Sequence, residues 1–328
     1  MTGLRWGILA TGGIARTFTT DLRAAGLDVI AVGSRSLASA QSFADAFDIP
    51  RRYRSYQDLV GDPDVDIIYV ATPHSLHAEH ARMALEAGKH VLVEKSFTLT
   101  RSQAAGLRDL AESKGLFLME AMWTRYLPHM ARIRQLVRSG ALGRVHALRA
   151  DHTGVAPTDP DHRLNNLALG GGGLLDIGVY SVSFASDMLG APVDVRATGI
   201  LGETGVDTEV STSMTHADGA VSTTLTSLRA TGLNAAAIHG SEASIVIDRS
   251  WLTPTTFRVV ADDGRVVEIY DRPVEGRGMQ YEALAAESYI AEGRTESELE
   301  PLDETVAIMG TLDEIRRQIG LRYPGVDD

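Results

Sequence analysis

A lysine flanked by an acid and a hydroxyl follows a short apolar run, residues 91–93. Glu94, Lys95 and Ser96 stand where that run ends. An unbroken Val/Leu run is typical of a buried parallel strand, and open α/β sheets bind ligands at the carboxyl ends of their strands. A single lysine is more often a solvated surface residue. The motifs described below favour a functional Lys95 over the ligand crevice.

An acid and a phenol follow four consecutive glycines at positions 170–173. Asp176 and Tyr180 are four residues apart, so they share one face of the helix predicted after the glycines. Because a tyrosine titrates near ~10 in water, acid–base chemistry at neutral pH needs a cation, and Lys95 supplies it if a crevice brings the two together. The structural alternative is a helix start with a stabilising Asp and a packed Tyr; the glycines favour a site. The predicted substrate rim comprises Asp151, His152 and residues 159–163.

A glycine turn lies between the first predicted strand, 4–10, and the first predicted helix, 16–25. Small residues there let the backbone approach a pyrophosphate, and the helix N-terminus offers unpaired N–H groups to it. Alanine replaces the first and third glycines of the usual dinucleotide fingerprint, but the strand–turn–helix context favours cofactor binding. The turn comprises Ala10, Thr11, Gly12, Gly13, Ile14 and Ala15.

The tip of the second predicted strand, 28–33, indicates which dinucleotide is bound. NAD-preferring sites normally carry an acid there, which accepts from the ribose 2′-hydroxyl. Here the tip is Ser34, Arg35 and Ser36. The planar guanidinium suits a 2′-phosphate and both hydroxyls can donate to it, so we predict NADP(H) in preference to NAD(H).

Three histidines follow the next predicted strand at a spacing of three residues. Thr72 and Pro73 precede His74, and His77 and His80 lie on the helix after it. A metal site would need ligands from a second element or the i, i+4 spacing. We therefore predict no metal: residues 72–74 and His77 line the cofactor cleft, and His80 is a surface histidine.

The order of the elements predicts the fold class. Strand and helix alternate through Glu120, which indicates a doubly wound parallel sheet. Later strands alternate apolar and polar residues, as in a large open, mostly antiparallel sheet. We predict an α/β protein with a Rossmann domain, 1–121, and a substrate-binding α/β domain, 122–328, whose amphipathic last helix, 303–319, packs back on the first domain.

Composition narrows the function classes. The chain has 328 residues, a formal charge of −12 and no cysteine, which excludes disulfides and thiolate chemistry and disfavours a nucleic-acid partner. We expect no membrane-length apolar run and no signal segment, and hence a cytoplasmic protein without a membrane partner.

Together these motifs resemble the glucose–fructose oxidoreductase/inositol dehydrogenase (Gfo/Idh/MocA) family over nearly the full length. The resemblance is strongest to the branch of dimeric dihydrodiol dehydrogenases and NADP-dependent aldose dehydrogenases. One difference is Ser96, where the family usually has a proline that shapes the turn below the lysine. The motifs that carry the resemblance are residues 12–15, 72–74, 94–96, 120–125 and 171–180.

The resemblance implies roles for individual residues. It implies that Lys95 and Tyr180 are catalytic, that Asp176 lies beside the substrate, and that the second domain's sheet forms a homodimer or a homotetramer. The cofactor-binding set comprises residues 10–15, Ser34, Arg35, Ser36, Thr72, Pro73, His74, His77, Glu94, Lys95, Trp123 and Arg125. The substrate-binding set comprises Lys95, Trp123, His152, Asp176 and Tyr180.

The resulting hypothesis is an NADP-dependent oxidoreductase. Hydride would pass between nicotinamide and a carbinol carbon of an aldose or a cyclic diol. Two alternatives stay open: a sugar-nucleotide ketoreductase of a biosynthetic pathway, and a non-catalytic NADP-sensing regulatory protein on the same fold.

Overall fold

A computed structural model describes residues 3–326, which form two compact units. The first unit contains the chain through Thr98, Ser102–Trp123 and Glu275–Val306, and the second contains Leu99–Arg101, Thr124–Val274 and the chain from Ala307 onward. The division into domains at 121/122 stays a prediction. In the structure residues 275–306 belong to the first unit, a return of the chain that the prediction did not include.

The first unit is built on a six-stranded parallel sheet of order β3-β2-β1-β4-β5-β6. The strand order reverses between β1 and β4, and in doubly wound sheets this switch point marks the ligand crevice at the carboxyl ends of the strands. The predicted Rossmann sheet is therefore confirmed. Its strands are β1 (Arg5–Leu9), β2 (Asp28–Gly33), β3 (Arg51–Tyr53), β4 (Ile67–Val70), β5 (His90–Glu94) and β6 (Leu118–Ala121).

Helices follow most of these strands and are started by local side chains. Ser36 and Ser55 accept hydrogen bonds from the N–H groups of Ser39 and Asp58 and so cap two helices. The ring of Phe18, on the first helix, stacks at 3.8 Å on Tyr69. The helices are α1 (Gly13–Ala24), α2 (Leu37–Phe47), α3 (Tyr56–Val60), α4 (His77–Glu86) and α5 (Arg101–Lys114).

The second unit is built on an eight-stranded sheet of order β14-β13-β12-β11-β7-β10-β9-β8. All neighbours pair antiparallel except β10 with β7, which confirms the predicted mostly antiparallel sheet. Burial alternates along β10, so one face of that strand is covered and the other exposed. The strands are β7 (Val145–Thr153), β8 (Pro192–Leu201), β9 (Asp207–His216), β10 (Val221–Ser227), β11 (Ala236–Gly240), β12 (Ala243–Ile247), β13 (Phe257–Ala261) and β14 (Val266–Tyr270).

Two helices of the second unit, α6 (Pro128–Arg138) and α7 (Val179–Leu189), precede β7 and β8 respectively. A π-helical turn, Leu174–Gly178, leads into α7. The helical stretch Leu167–Leu189 is long and apolar enough to span a membrane by length and composition, so the expectation of no such run was wrong. However, 78% of its apolar window is buried, as in the core helix of a soluble protein.

The chain then returns to the first unit through α8 (Gln280–Ala291). There the indole N–H of Trp6 donates to Glu287 at 2.8 Å, and the N–H of Met279 donates to the carboxylate of Asp21 at 2.9 Å. The last helix, α9 (Leu302–Ile319), begins in the first unit and continues in the second.

Candidate functional site

The glycine turn after β1 has the open geometry that a dinucleotide requires. Gly12 is the N-cap of α1 and makes no side-chain cap, and a Cβ added at Gly12 or Gly13 would meet no atom within 4 Å. Ala10, in the place of the first glycine, has φ +96°, a conformation that favours glycine. The backbone at Gly12 and Gly13 is therefore open to close approach at the N-terminus of α1, which fits a pyrophosphate.

The tip of β2 presents the residues predicted to select NADP. Ser34 is buried and Arg35 is exposed. Ser36 is the N-cap of α2, and its side-chain oxygen accepts the N–H of Ser39. Burial raises the pKa of Tyr56, and the guanidinium of Arg35 beside its hydroxyl opposes that effect. The guanidinium thus lies at the surface beside a phenol, where a 2′-phosphate can reach it.

His77 joins the chain after β4 to the chain after β5. Its ring nitrogens lie 2.8 Å from the carbonyl oxygens of Thr72 and Ser96, and the ring is buried. Desolvation lowers the pKa of His77 to about 4, so the ring is neutral at pH 7 and donates to one of the two carbonyls. His74 packs edge-on against it, at 5.6 Å between centroids. His77 is thus placed to support the strand ends, while its predicted cofactor contact stays a prediction.

His80 was predicted to lie at the surface, and that prediction was wrong. It is 6% exposed, its Nδ1 lies 3.0 Å from the hydroxyl of Thr72, and its ring packs edge-on against Tyr56. The packing explains the burial, because the helix face that carries His77 also carries the residue three positions on. Within residues 3–326 no group of three or more His, Asp or Glu side chains could hold a metal ion.

Lys95 is partly exposed between buried neighbours at the end of β5. The Lys95–Ser96 peptide bond is cis. Before it, Glu94 accepts a hydrogen bond from the hydroxyl of Tyr69; after it, the N–H of Phe97 donates to Glu120 at 2.9 Å. The second bond holds the backbone after the lysine, and the first holds the carboxyl of Glu94, which is buried.

Trp123 and Arg125 were both predicted to bind the cofactor. Trp123 is 1% exposed, and in the first unit the guanidinium of Arg277 lies 4.9 Å from the centre of its ring. Arg125, in the second unit, is buried and donates to the hydroxyl and the carbonyl of Ser183 at 2.9 and 3.1 Å. These contacts give Arg125 a structural role on α7, and its cofactor contact stays a prediction.

In the second unit, Asp176 lies on the π-helical turn and Tyr180 is the second residue of α7. The N–H of Val179 donates to the carbonyl of Leu174, an i→i+5 bond that widens the turn. Asp176 and Tyr180 are 7% and 6% exposed. The sequence predicted a loop followed by an ordinary helix here, so the π turn is new, and such turns are frequent at functional sites.

Two polar side chains surround this pair. Arg163, from the predicted rim, donates to Asp176 at 3.0 Å, and its side chain is 54% exposed while that of Asp176 is 11% exposed. The ring of His152 lies edge-on to that of Tyr180 at 5.5 Å, and its Nδ1 lies 3.1 Å from the carbonyl of Ile177. The second unit therefore places His152 against Tyr180 and pairs Asp176 with Arg163, while the substrate-binding role of Asp176, Tyr180 and His152 stays a prediction.

Sequence reasoning missed one residue of this region, Asp207. It is the first residue of β9, is fully buried, and accepts a hydrogen bond from the N–H of Leu174 at 2.6 Å. In the sequence it is an acid after a glycine-containing turn, which is an ordinary surface pattern. Only the tertiary contact distinguishes it.

Comparison with known proteins places both halves of the chain in one family. Residues 4–122 match the family model described as an oxidoreductase family with an NAD-binding Rossmann fold, and residues 130–246 match the GFO/IDH/MocA C-terminal domain. The chain is 36% identical to D-xylose 1-dehydrogenase (NADP(+)) of Hypocrea jecorina, over 98% of this chain and 93% of that protein. It is 35% identical to trans-1,2-dihydrobenzene-1,2-diol dehydrogenase of Bos taurus, over 98% of each.

Among solved structures, the fold is similar to a 3-ketoreductase from Actinomadura kijaniata in complex with NADP and TDP-benzene. That similarity has a TM-score of 0.87 at 26% identity and covers 97% of this chain and 98% of that one. The aldose–aldose oxidoreductase of Caulobacter crescentus complexed with glycerol is similar with a TM-score of 0.86 at 26% identity, covering 96% and 97%. With two domain models and full-length relatives above 30% identity, the chain belongs to the GFO/IDH/MocA oxidoreductase family.

Proposed function

We propose that this protein is an NADP-dependent oxidoreductase that acts on a CH–OH group of an aldose or a cyclic diol. The observation that carries the proposal is the carboxyl edge of the six-stranded sheet. An open glycine turn follows β1, and a partly exposed lysine with an anchored backbone follows β5. The full-length relatives at 35–36% identity are named for NADP-dependent oxidation of xylose and for oxidation of a dihydrodiol, which supports the substrate class.

The residues would divide the work as follows. Residues 10–15 hold the pyrophosphate and Arg35 holds the 2′-phosphate of NADP, whose nicotinamide accepts or donates the hydride when it is bound. Tyr180 moves the proton of the reacting hydroxyl. Lys95 binds the oxygen of that hydroxyl and lowers the pKa of the phenol, and Asp176 orients a neighbouring hydroxyl.

A sugar-nucleotide ketoreductase is the second candidate. It is favoured by the similarity to the Actinomadura enzyme, whose structure contains TDP-benzene. The chemistry would be unchanged, with the proton moved to a ketone oxygen instead of from a hydroxyl. The lower identity of 26%, against 35–36% for the aldose and diol enzymes, makes it second.

Steady-state kinetics with a lysine variant test the proposal. Purified protein is assayed with NADP and NAD against aldoses and trans-dihydrodiols, and in reverse with keto-sugars and a TDP-keto-sugar. We expect turnover with NADP and an aldose or diol, and a loss of about 10²–10⁴-fold in Lys95→Ala, the range of general acid–base catalysis. Lys114→Ala is the matched control, because Lys114 is exposed at the end of α5.

Three outcomes separate the hypotheses. Turnover only with the TDP-keto-sugar would replace the aldose or diol by a sugar nucleotide. Tight NADPH binding without any turnover would replace the enzyme by an NADP sensor. Full activity of Lys95→Ala would refute the role of the lysine.

We further propose a cytoplasmic homodimer that forms through the open face of the second unit's sheet. Its support is three exposed apolar side chains on β8 and β10 of that sheet: Leu225 is 47%, Ile200 51% and Val193 68% exposed. Light scattering should give twice the monomer mass for the wild type and the monomer mass for Leu225→Glu. A monomeric wild type would contradict the dimer, and a fourfold mass would replace it by a tetramer.

A further inference from the structure

A buried acid from a distant strand packs against the backbone of the glycine loop, residues 170–173. Asp207 is fully buried, and its Oδ2 accepts the N–H of Leu174, the first residue of the π-helical turn, at 2.6 Å. Among residues 3–326 its Oδ1 has no hydrogen-bond partner. A carboxylate at the N-terminal end of a helical segment satisfies N–H groups that lack an intrahelical acceptor.

The loop is shaped to receive this carboxyl. Gly172 has φ +115°, and a Cβ added there would overlap Oδ1 of Asp207. A Cβ at Gly173 would lie 3.3 Å from Oδ2, and one at Gly171 would lie 2.7 Å from the carbonyl oxygens of the preceding loop. From the other side, the hydroxyl of Tyr323 donates to the carbonyl of Gly171 at 3.0 Å. The glycines are therefore required for close approach and are not simply a flexible hinge.

The same turn carries the predicted acid and leads directly to the predicted phenol. Asp176 is the third residue of the turn, and Tyr180 is the second residue of α7. The carboxyl of Asp207 makes its hydrogen bond two residues before Asp176. That bond therefore holds the start of the segment that carries both side chains.

We propose that Asp207 is a positioning residue whose buried carboxylate holds the π-helical turn in the conformation that presents Asp176 and Tyr180. This inference rests on the proposed function of those two residues. In this proposal the glycine loop lets the acid on β9 approach closely enough to hold the π-helical turn, in addition to any role of the loop in substrate binding.

The position of this carboxyl makes the device sensitive to pH. Burial raises the pKa of Asp207 to about 7, while the N–H groups of Leu174 and Gly173 act in the opposite direction. The carboxylate form, which is the stronger acceptor, therefore prevails above about pH 7, and the protonated form below it. Charged and titratable groups on the packed elements include Asp176 on the turn, Arg163 on the loop before it, Arg229 after β10 and Tyr323. The strands add Glu209 and His216 on β9 and Asp194 and Arg196 on its neighbour β8.

The sign of the stability effect distinguishes positioning from a merely structural role. A carboxyl whose pKa rises on folding binds more protons in the folded state between about pH 4 and pH 7, so its ionisation lowers stability as the pH rises through that window. Asp207→Asn keeps the shape and one acceptor oxygen but cannot ionise. If Asp207 serves positioning at the expense of stability, the Asn variant gains melting temperature at pH 8 while it loses activity.

The experiment compares the wild type, Asp207→Asn and the control Glu209→Gln, a partly exposed acid on the same strand. We expect Asp207→Asn to lower kcat about 10- to 100-fold through misplacement of the site residues. Its Tm relative to the wild type should rise from pH 5.5 to pH 8, and its kcat should lose the wild-type increase near pH 7. Glu209→Gln should change none of these. Unchanged kcat, or an equal Tm loss at all pH values, would overturn the proposal.

Hydrogen exchange keeps the test independent of activity. In the wild type, the protection of the amides of residues 174–180, corrected for intrinsic rates, should differ between pH 6 and pH 8, and this difference should vanish in Asp207→Asn. Protection that does not depend on pH would overturn the inference even with an active enzyme. Absence of any turnover in the wild type would refute the proposed function and with it the site role of Asp176 and Tyr180, while the exchange result would still decide whether Asp207 sets the turn.

Discussion

Acidification should weaken the first unit at one buried histidine. His77 is 1% exposed and lies between the carbonyls of Thr72 and Ser96. Its pKa is about 4 in the folded protein against 6.5 in a model peptide. The unfolded state therefore binds more protons at His77 between those two values, so the contribution of His77 to stability is complete above pH 6.5 and is lost as the pH falls towards 4.

The size of the loss follows from the two pKa values. A difference of about 2.5 pH units, from 6.5 to about 4, corresponds to ~3 kcal/mol at 1.36 kcal/mol per unit. His77→Gln removes this dependence. At pH 7 it should cost ~1–2 kcal/mol, because glutamine replaces the ring hydrogen bond imperfectly in a buried site. The stability of the variant should therefore approach or exceed that of the wild type at pH 4.5.

Urea denaturation at pH 7 and pH 4.5, followed by tryptophan fluorescence, measures the difference. The control is His146→Gln, because His146 is exposed on β7 and should change stability equally at both pH values. NMR titration of the His77 ring gives its pKa directly. The same wild-type-minus-variant difference at both pH values, or a ring pKa near 6.5, would refute the reasoning.

Two further changes address the cofactor and the substrate acid. Arg35→Asp should shift the cofactor preference from NADP towards NAD, since an acid accepts from the ribose 2′-hydroxyl and repels a 2′-phosphate. The ratio of kcat/KM for the two cofactors measures the shift, and Arg52→Asp, at an exposed arginine, is the control. An unchanged ratio would contradict the role of Arg35. Arg163→Ala should raise the KM for substrate about fivefold, because its 3.0 Å pair with Asp176 is 54% exposed on the arginine side and screening reduces it to ~1 kcal/mol. Arg163→Lys should restore part of it; an unchanged KM speaks against the pair.

The parallel sheet could be predicted because most of its strands carry a strong local sequence signal. β2 was predicted at its observed bounds, since a continuous apolar run between a glycine that ends a helix and a polar segment is typical of a buried strand. The short β3 was not, because Arg51–Tyr53 is polar and three residues long. β11 was missed for another reason: it begins with two alanines, which have little strand preference.

The predicted site residues of the second unit show which features of a site can be predicted from local sequence and which cannot. Asp176 and Tyr180 could be found from their spacing and the preceding glycines, because both signals are local. The π turn that carries them and the acid that holds it could not, since Asp207 acts from 33 positions after Leu174. His80 was placed wrongly for the same reason: its burial depends on Thr72 and Tyr56, and no local pattern reports a tertiary contact.

The return of the chain to the first unit has a consequence for the order of synthesis. The six-stranded sheet is encoded before residue 122, yet Trp6 finds its hydrogen-bond partner Glu287 only 281 positions later. In the second unit, Tyr323, which donates to the carbonyl of Gly171, is encoded 152 positions after it. Neither unit can form these contacts while its own sheet is being synthesised, because the partner residue has not yet been translated. During translation of the second unit, a nascent chain will therefore expose the surface of the first unit that residues 275–306 later cover.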